Sequence, residues 1–474
     1  MKKLLWIFPL TLIMAGKVFA EKEYLSKVAQ VRVTSYSYSI NHPWQKGSAG
    51  KSFGSAVFIE GDRLLTNAHV VDSALRVDLR RVGSDTWYRA SVEHVSEASD
   101  LALLKVPHEE FSIDAKPATL SSEVTFGSEV LVVGFPVGGD TVSVTKGVLS
   151  RTEETDYAYS AMTLLTYQID AAINNGNSGG AVFSDDRLMG ISFQASDKAE
   201  NIGYAIPVAV IEQFLADAGD GVIDGLPQLP FFYLPIANVN MQEYLGLQER
   251  VGVYVSETVG DPTSQCVQRG DVVTSIEGLS ISASGMVEYP GDGVVSVDHV
   301  ASSRQIGDIL ELEIRRNGKG ETINCELKYN WNNVFGAPGI DSQYRPKWLE
   351  VGGLILVDMA DEVFLYLDEN RIDVHEKANG IRLGMQRGTV ENPVGGIFVS
   401  NVLDHDANEG YELTNSLLKS VNGEMAANVD AVRKIISENS SPWLVLEFYE
   451  GSLAVFKQSE LQLISEDLSL EYGF

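Results

Sequence analysis

Three widely separated segments constrain this chain most: Thr66-Asn67-Ala68-His69, Ser99-Asp100-Leu101-Ala102 and Gly176-Asn177-Ser178-Gly179-Gly180. Each sets a chemically active side chain at the boundary of an apolar run. A fold that unites them needs a rigid sheet framework with loops at its strand ends. Runs such as Val31-Arg32-Val33-Thr34, Ala56-Val57-Phe58-Ile59 and Val130-Leu131-Val132-Val133, punctuated by glycine turns, read as short antiparallel strands. The one convincing helix in this region spans Val208 to Ala218.

The chemistry follows from the residue types. A serine hydroxyl is a weak nucleophile at neutral pH, so it needs a neutral imidazole to take its proton and a buried carboxylate to orient that imidazole. Ser178, His69 and Asp100 suit these roles, in the chain order His, Asp, Ser. The flanking glycines let the amides of Gly176 and Ser178 converge on a developing oxyanion, where losing one donor costs about 3–4 kcal/mol. Taken singly, each segment has a plainer reading, as a turn, a half-buried histidine or an edge strand. Together they supply three complementary functions, which implies peptide-bond hydrolysis through a serine nucleophile.

The same five residues also satisfy Gly-x-Ser-x-Gly, the nucleophile elbow of α/β-hydrolases. An elbow opens a helix and takes its acid and histidine from later in the chain. Here Ala181-Val182-Phe183, a turn at Ser184-Asp185-Asp186-Arg187, and Leu188-Met189-Gly190-Ile191-Ser192-Phe193 read as a hairpin. The later histidines, His299, His375 and His405, lie in polar or acidic stretches with no acid-then-histidine pattern.

With Gly54-Ser55-Ala56-Val57-Phe58-Ile59 and Asp170-Ala171-Ala172-Ile173-Asn174 added, these motifs resemble the HtrA (Deg) family. The resemblance implies a mainly β chain: a chymotrypsin-like double β-barrel followed by two PDZ-like α+β domains, acting as an ATP-independent quality-control endopeptidase on unfolded or misfolded proteins. It further implies a homo-oligomer built on trimers. Asn201-Ile202-Gly203-Tyr204-Ala205-Ile206-Pro207 and the divergent second half are similar to the plant-type Deg proteases. Ala181 departs from the usual proline. The segment before Ser178 together with Ile191, Ser192, Phe193 and Gln194 is the expected primary substrate pocket. No acidic residue occupies that strand, which favours small apolar residues such as Val or Ala over Lys or Arg.

Composition fits a modular exported enzyme. A length of 474 residues favours two to three domains. The formal charge of −29 argues against nucleic acid or an anionic membrane as main partner. Lys2-Lys3, the apolar stretch from Leu4 to about Gly16 and Lys17-Val18-Phe19-Ala20 read as a secretory leader over residues 1–20. Export in a bacterium with two membranes would deliver the chain to the periplasm, with no integral membrane segment after leader removal. The stretch is short for a spanning helix, and an uncleaved anchor is the alternative. No ligand cluster of metal-site spacing is evident, and no cofactor is expected. The two cysteines, Cys266 and Cys325, suit either a disulfide or two buried thiols, and the reading favours the thiols.

After a protease domain over residues 21–221, a repeat marks expected domains at 222–330 and 345–474. Gly252-Val253-Tyr254-Val255-Ser256 is echoed by Gly396-Ile397-Phe398-Val399-Ser400. Gly270 to Gly278 is echoed by Asn415 to Gly423. In each copy a helix candidate and a further strand follow. By resemblance, Leu229, Pro230, Phe231 and Phe232 form the peptide-binding loop of the first copy, where Pro230 removes an amide donor needed for carboxylate capture. The aromatics there suit an apolar pocket or simply the core. Two other function classes stay open, a binding chaperone with little proteolysis and a PDZ adaptor; intact triad residues weigh against the adaptor.

Overall fold

The computed structural model describes residues 23–474 apart from 124, 137–140, 158–159, 161, 175, 196–201, 250, 260–265, 331–345, 360–362, 364–366 and 368–395. The expected leader and most of the acidic tract from Asp358 to Asp373 lie outside the described residues. Among the described residues no helix is long and apolar enough to cross a membrane.

Two closed six-stranded barrels open the molecule. The first contains β1 (Val28–Tyr38), β2 (Lys46–Ile59), β3 (Arg63–Thr66), β4 (Ala74–Arg81), β5 (Trp87–Ser96) and β6 (Leu101–Lys105), in the order β1-β2-β3-β6-β5-β4. The second contains β7 (Glu129–Gly134), β8 (Ser143–Asp156), β9 (Thr163–Ile169), β10 (Ala181–Ser184), β11 (Arg187–Ala195) and β12 (Gly203–Pro207), in the order β10-β11-β12-β9-β8-β7. Closure removes sheet edges that would otherwise pair with other chains. The expected hairpin after Ser178 is present, with Ala181 opposite Ile191 and Ser184 opposite Arg187. Asp185 and Asp186 take φ of +47° and +65°, the left-handed pair that a two-residue hairpin turn requires. A hairpin here excludes the hydrolase elbow. The helix Val208–Asp217 then packs back on the second barrel through Val208, Ile211 and Phe214.

The first PDZ-like unit contains β13 (Phe231–Pro235), β14 (Val253–Thr258), β15 (Val272–Ile276), β16 (Leu279–Ser280), the hairpin β17 (Met286–Tyr289) and β18 (Gly293–Ser296), then β19 (Ile309–Arg316) and β20 (Lys319–Glu326). Its main sheet runs β13-β14-β15-β19-β20, with the helix Val297–Ser302 beside it. Along β19 buried and exposed residues alternate, Leu310, Leu312 and Ile314 facing the core. The second unit contains β21 (Trp348–Val351), β22 (Leu354–Asp358), β23 (Ile397–Val402), β24 (Leu418–Val421), β25 (Trp443–Phe448) and β26 (Leu453–Lys457), with helices Val429–Glu438 and Leu461–Tyr472. The repeated motifs fall on equivalent strands, β14 with β23 and β15 with β24. Glu277-Gly278 and Asn422-Gly423 close both copies with paired positive-φ turns. The copies differ in their sheets. β14 pairs with β15, whereas among the described residues β23 and β24 lie in separate three-stranded sheets joined by the bridge from Phe398 to Leu417.

The favoured reading of two free thiols is corrected: Cys266 and Cys325 form a disulfide, their Cα atoms 5.5 Å apart. Cys325 lies on the buried face of β20, and Cys266 packs against it, a tertiary proximity that strand periodicity does not contain. Pieces of the barrel pair are built into both later units. Leu165 of β9 joins the core of the first PDZ-like unit. The Glu154 carboxylate of β8 accepts hydrogen bonds from Ser296 N and Oγ at 2.6 and 2.7 Å, capping the helix Val297–Ser302 from another domain. Between β1 and β2, Trp44 lies against Trp348 and Phe474, with centroids 5.2 and 5.0 Å away. Its indole donates to the Tyr472 carbonyl at 3.1 Å.

For a sequence separation of 59 residues, the loop-closure relation assigns the disulfide about 4 kcal/mol of stability. Reductant, or Cys325→Ser, should therefore lower the calorimetric transition of the first PDZ-like unit. An unchanged transition would show that the bridge contributes nothing to folding.

Candidate active site

His69 enters on a single helical turn, Ala68–Val71, directly after β3 of the first barrel. Asp100 precedes β6 in the same barrel and takes a φ of +52°, a left-handed conformation that aspartate tolerates better than most residues. Its carboxylate is 1% exposed and accepts both N–H groups of His69: the ring Nδ1 at 2.7 Å to Oδ2 and the main-chain N at 2.9 Å to Oδ1. This bond fixes the tautomer that leaves a lone pair on Nε2. Burial on its own would lower the His69 pKa. The charge and hydrogen bond of Asp100 outweigh it, with Asp72 adding, so the imidazole titrates above the ordinary histidine value.

Ser178 belongs to the second barrel, on the turn between β9 and β10. Gly179 has a φ of +79°, and a Cβ there would lie 2.0 Å from the Ser55 carbonyl oxygen, so only glycine fits between the barrels. Its N–H donates to Ser192 O at 3.0 Å and to Asn67 Oδ1 at 2.6 Å. The Ser192 hydroxyl reaches back to Asn177 O at 2.7 Å. The Ser178 hydroxyl donates to Phe193 O at 3.3 Å. Side-chain rotation is fast and catalytic hydrogen bonds are commonly loose before substrate binds, so this rotamer is compatible with transfer to His69. Among the described residues the amides of Gly176 and Ser178 have no hydrogen-bond partner. Both donors are unspent.

The expected pocket residues divide. Ile191 is fully buried in the core, and Ser192 supports the Ser178 loop. Phe193 packs against Tyr157 with tilted rings, centroids 4.6 Å apart, and Gln194 Nε2 donates to Asp156 O at 3.3 Å. Tyr157 is itself buried, its hydroxyl donating to Leu165 O at 2.7 Å and its pKa pushed up by burial and then by the Asp100 charge. Ile173 packs where a side chain on Gly203 would stand, 2.6 Å from that Cβ position. In the first PDZ-like unit Leu229 and Phe231 are core residues, 4% and 3% exposed, whereas Phe232 is half-buried. The Pro230 carbonyl accepts from Val259 N at 2.9 Å. Among the described residues no group of His, Cys, Asp and Glu is placed to hold a metal ion.

Sequence reasoning missed Asn67. Fully buried, it donates to Asp100 O at 2.9 Å while accepting from Gly179 N, and so ties the acid's loop to the nucleophile's loop across the barrel seam. An amide flanking the base in Thr66-Asn67-Ala68-His69 was the available signal, but its partner is 112 residues away.

Comparison with known proteins identifies the family and the fold. The trypsin-like peptidase domain family matches residues 54–191 and the PDZ domain family residues 338–472. Protease Do-like 2, chloroplastic, of Arabidopsis thaliana is 33% identical over 461 residues, covering 96% of this chain and 74% of that protein. Protease Do-like 4, mitochondrial, of the same plant is 31% identical over 411 residues, covering 85% and 75%. The solved structure of HtrA-type protease AlgW with decapeptide superposes with a TM-score of 0.51 at 24% identity, covering 65% of this chain and 97% of that one, a likeness of fold. The chain belongs to the HtrA (Deg) family of serine endopeptidases carrying PDZ domains and, within it, resembles the plant-type Deg proteases.

Proposed function

We propose that the chain is an exported, ATP-independent endopeptidase that degrades unfolded or damaged proteins through an acyl-enzyme. His69, Asp100 and Ser178 act as its triad, and the Gly176 and Ser178 amides as its oxyanion hole. The observation that carries this reading is the Asp100 carboxylate holding both N–H groups of His69. Ser178 Oγ turns from the Phe193 carbonyl, passes its proton to His69 Nε2 and attacks the scissile carbonyl. The two amides receive the oxyanion, and Asp100 stabilises the imidazolium until it protonates the leaving amine. Water, activated by the same imidazole, then hydrolyses the acyl-serine.

Ile173 filling the space over Gly203, and Phe193 fixed on Tyr157, support a pocket for small apolar side chains. In the first PDZ-like unit β13 lies at the end of its sheet and Pro230 lacks an N–H, which supports capture of extended chain segments over carboxylate ends. Family likeness supports assembly on trimers, and the leader-like amino terminus supports export, to the periplasm in a bacterium with two membranes.

Ser178→Ala should abolish digestion of unfolded casein with folding intact, and Asp100→Asn should lower kcat by about four orders of magnitude. Casein digestion by purified Ser178→Ala at the wild-type rate would refute the assignment. If that variant instead suppresses aggregation while wild type shows no cleavage, the chaperone reading prevails. The pH profile supplies a second check. His69 must be unprotonated to act as base and its pKa is raised, so kcat/KM should climb with pH through a midpoint above about 6.5. A midpoint below that value would contradict the Asp100 bond. Asn67→Ala, which strips one bond from Gly179 N–H and one from Asp100 O, should cost about 1–3 kcal/mol in denaturant unfolding.

A further inference from the structure

The motif Gly54-Ser55-Ala56 has no part in the chemistry above, yet Ser55 is fully buried and every polar atom it owns is engaged. Its hydroxyl accepts from Phe135 N at 2.8 Å and donates to Gly176 O at 2.9 Å. Its main-chain N–H donates to Ser178 O at 2.8 Å, and its carbonyl accepts from Thr66 Oγ1 at 2.7 Å. Ser55 comes from β2 of the first barrel, whereas Phe135, Gly176 and Ser178 belong to the second.

The bond to Gly176 O matters because of what surrounds it. The peptide plane joining Gly176 and Asn177 is held at both edges, its carbonyl by Ser55 Oγ and its N–H by Asn174 O at 2.9 Å. Gly176 itself sits at a φ of +94° and, lacking a Cβ, has no steric preference that would hold it there. With the following plane pinned, the direction of the Gly176 N–H is set by that glycine's own φ and ψ. Without the Ser55 hydroxyl, the Gly176 carbonyl is released and the plane can rotate, carrying the donor off the oxyanion position.

We propose that Ser55 is a positioning residue for the oxyanion hole, its hydroxyl locking the Gly176–Asn177 peptide to the end of β7. The proposal rests on reading Gly176 and Ser178 as the oxyanion donors. It predicts a defect confined to the transition state, since substrate binding does not use the lock.

The test compares full-length wild type, Ser55→Ala and Ser178→Ala on a fluorogenic unfolded substrate, with active sites counted by a fluorophosphonate. Ser55→Ala should lose about 10- to 100-fold in kcat per titrated site, with KM within about twofold. Its affinity for a peptide boronate, which forms a tetrahedral adduct, should fall by the same factor, while affinity for a cleaved product peptide holds. A wild-type kcat per titrated site, or a loss confined to KM, overturns the proposal. If Ser178→Ala retains activity, the oxyanion reading fails first. If it is dead and Ser55→Ala is unimpaired, only the role of Ser55 falls. Should Ser55→Ala not fold, Ser55→Cys keeps the volume with weaker hydrogen bonding, and the same loss or its absence decides.

Discussion

The nucleophile belongs to one barrel, its base and acid to the other, and the seam between them is the constraint on which the rest depends. Van der Waals packing alone leaves two closed barrels free to shift by fractions of an ångström. Here the seam is hydrogen-bonded: Ser55 N to Ser178 O, Asn67 to Gly179 N, and a glycine admitting the first barrel's carbonyl to a distance no other residue permits. Such directional contacts lose their energy steeply with displacement, which is why they rather than apolar area set catalytic registry.

An acidic chain faces a particular electrostatic problem, because each buried carboxylate adds to an unfavourable field. Asp78, Asp100, Asp217 and Asp271 are all buried, and all are matched. Asp78 meets Arg32 and Arg76, Asp271 meets Arg316 and the Gln268 amide, and Asp217 takes the amides of Asp224 and Gly225. Among the described residues Asp100 has His69 as its ion-pair partner, the group whose protonation it must stabilise.

Local patterns were legible. The alternation along β19, the turn at Asp185-Asp186 and the helix after Pro207 are properties of neighbouring residues, and the sequence carries them directly. The order His69, Asp100, Ser178 was legible because that chemistry demands those side-chain types. What escaped was long-range pairing. Cys266 and Cys325 meet only because the fold sets Cys266 against the buried face of β20, and Asn67 acquires its partner only when two barrels close. The splitting of the second PDZ-like sheet was equally hidden, since the motifs on β23 and β24 echo the apolar pattern of their counterparts while their pairing does not.

The aromatic cluster of Trp44, Trp348 and Phe474 gives the molecule a sense of time. The indole's hydrogen bond to Tyr472 spans 428 residues, which a ribosome adding about 5–20 residues per second takes roughly 20–90 s to cover. Both barrels can be built and closed within that interval, leaving a tryptophan on the loop between β1 and β2 uncovered. Only when the helix Leu461–Tyr472 has been made and laid down does the indole N–H acquire its acceptor. A chain interrupted before Tyr472 lacks the indole's hydrogen-bond acceptor, so that bond marks a molecule whose synthesis has passed Tyr472.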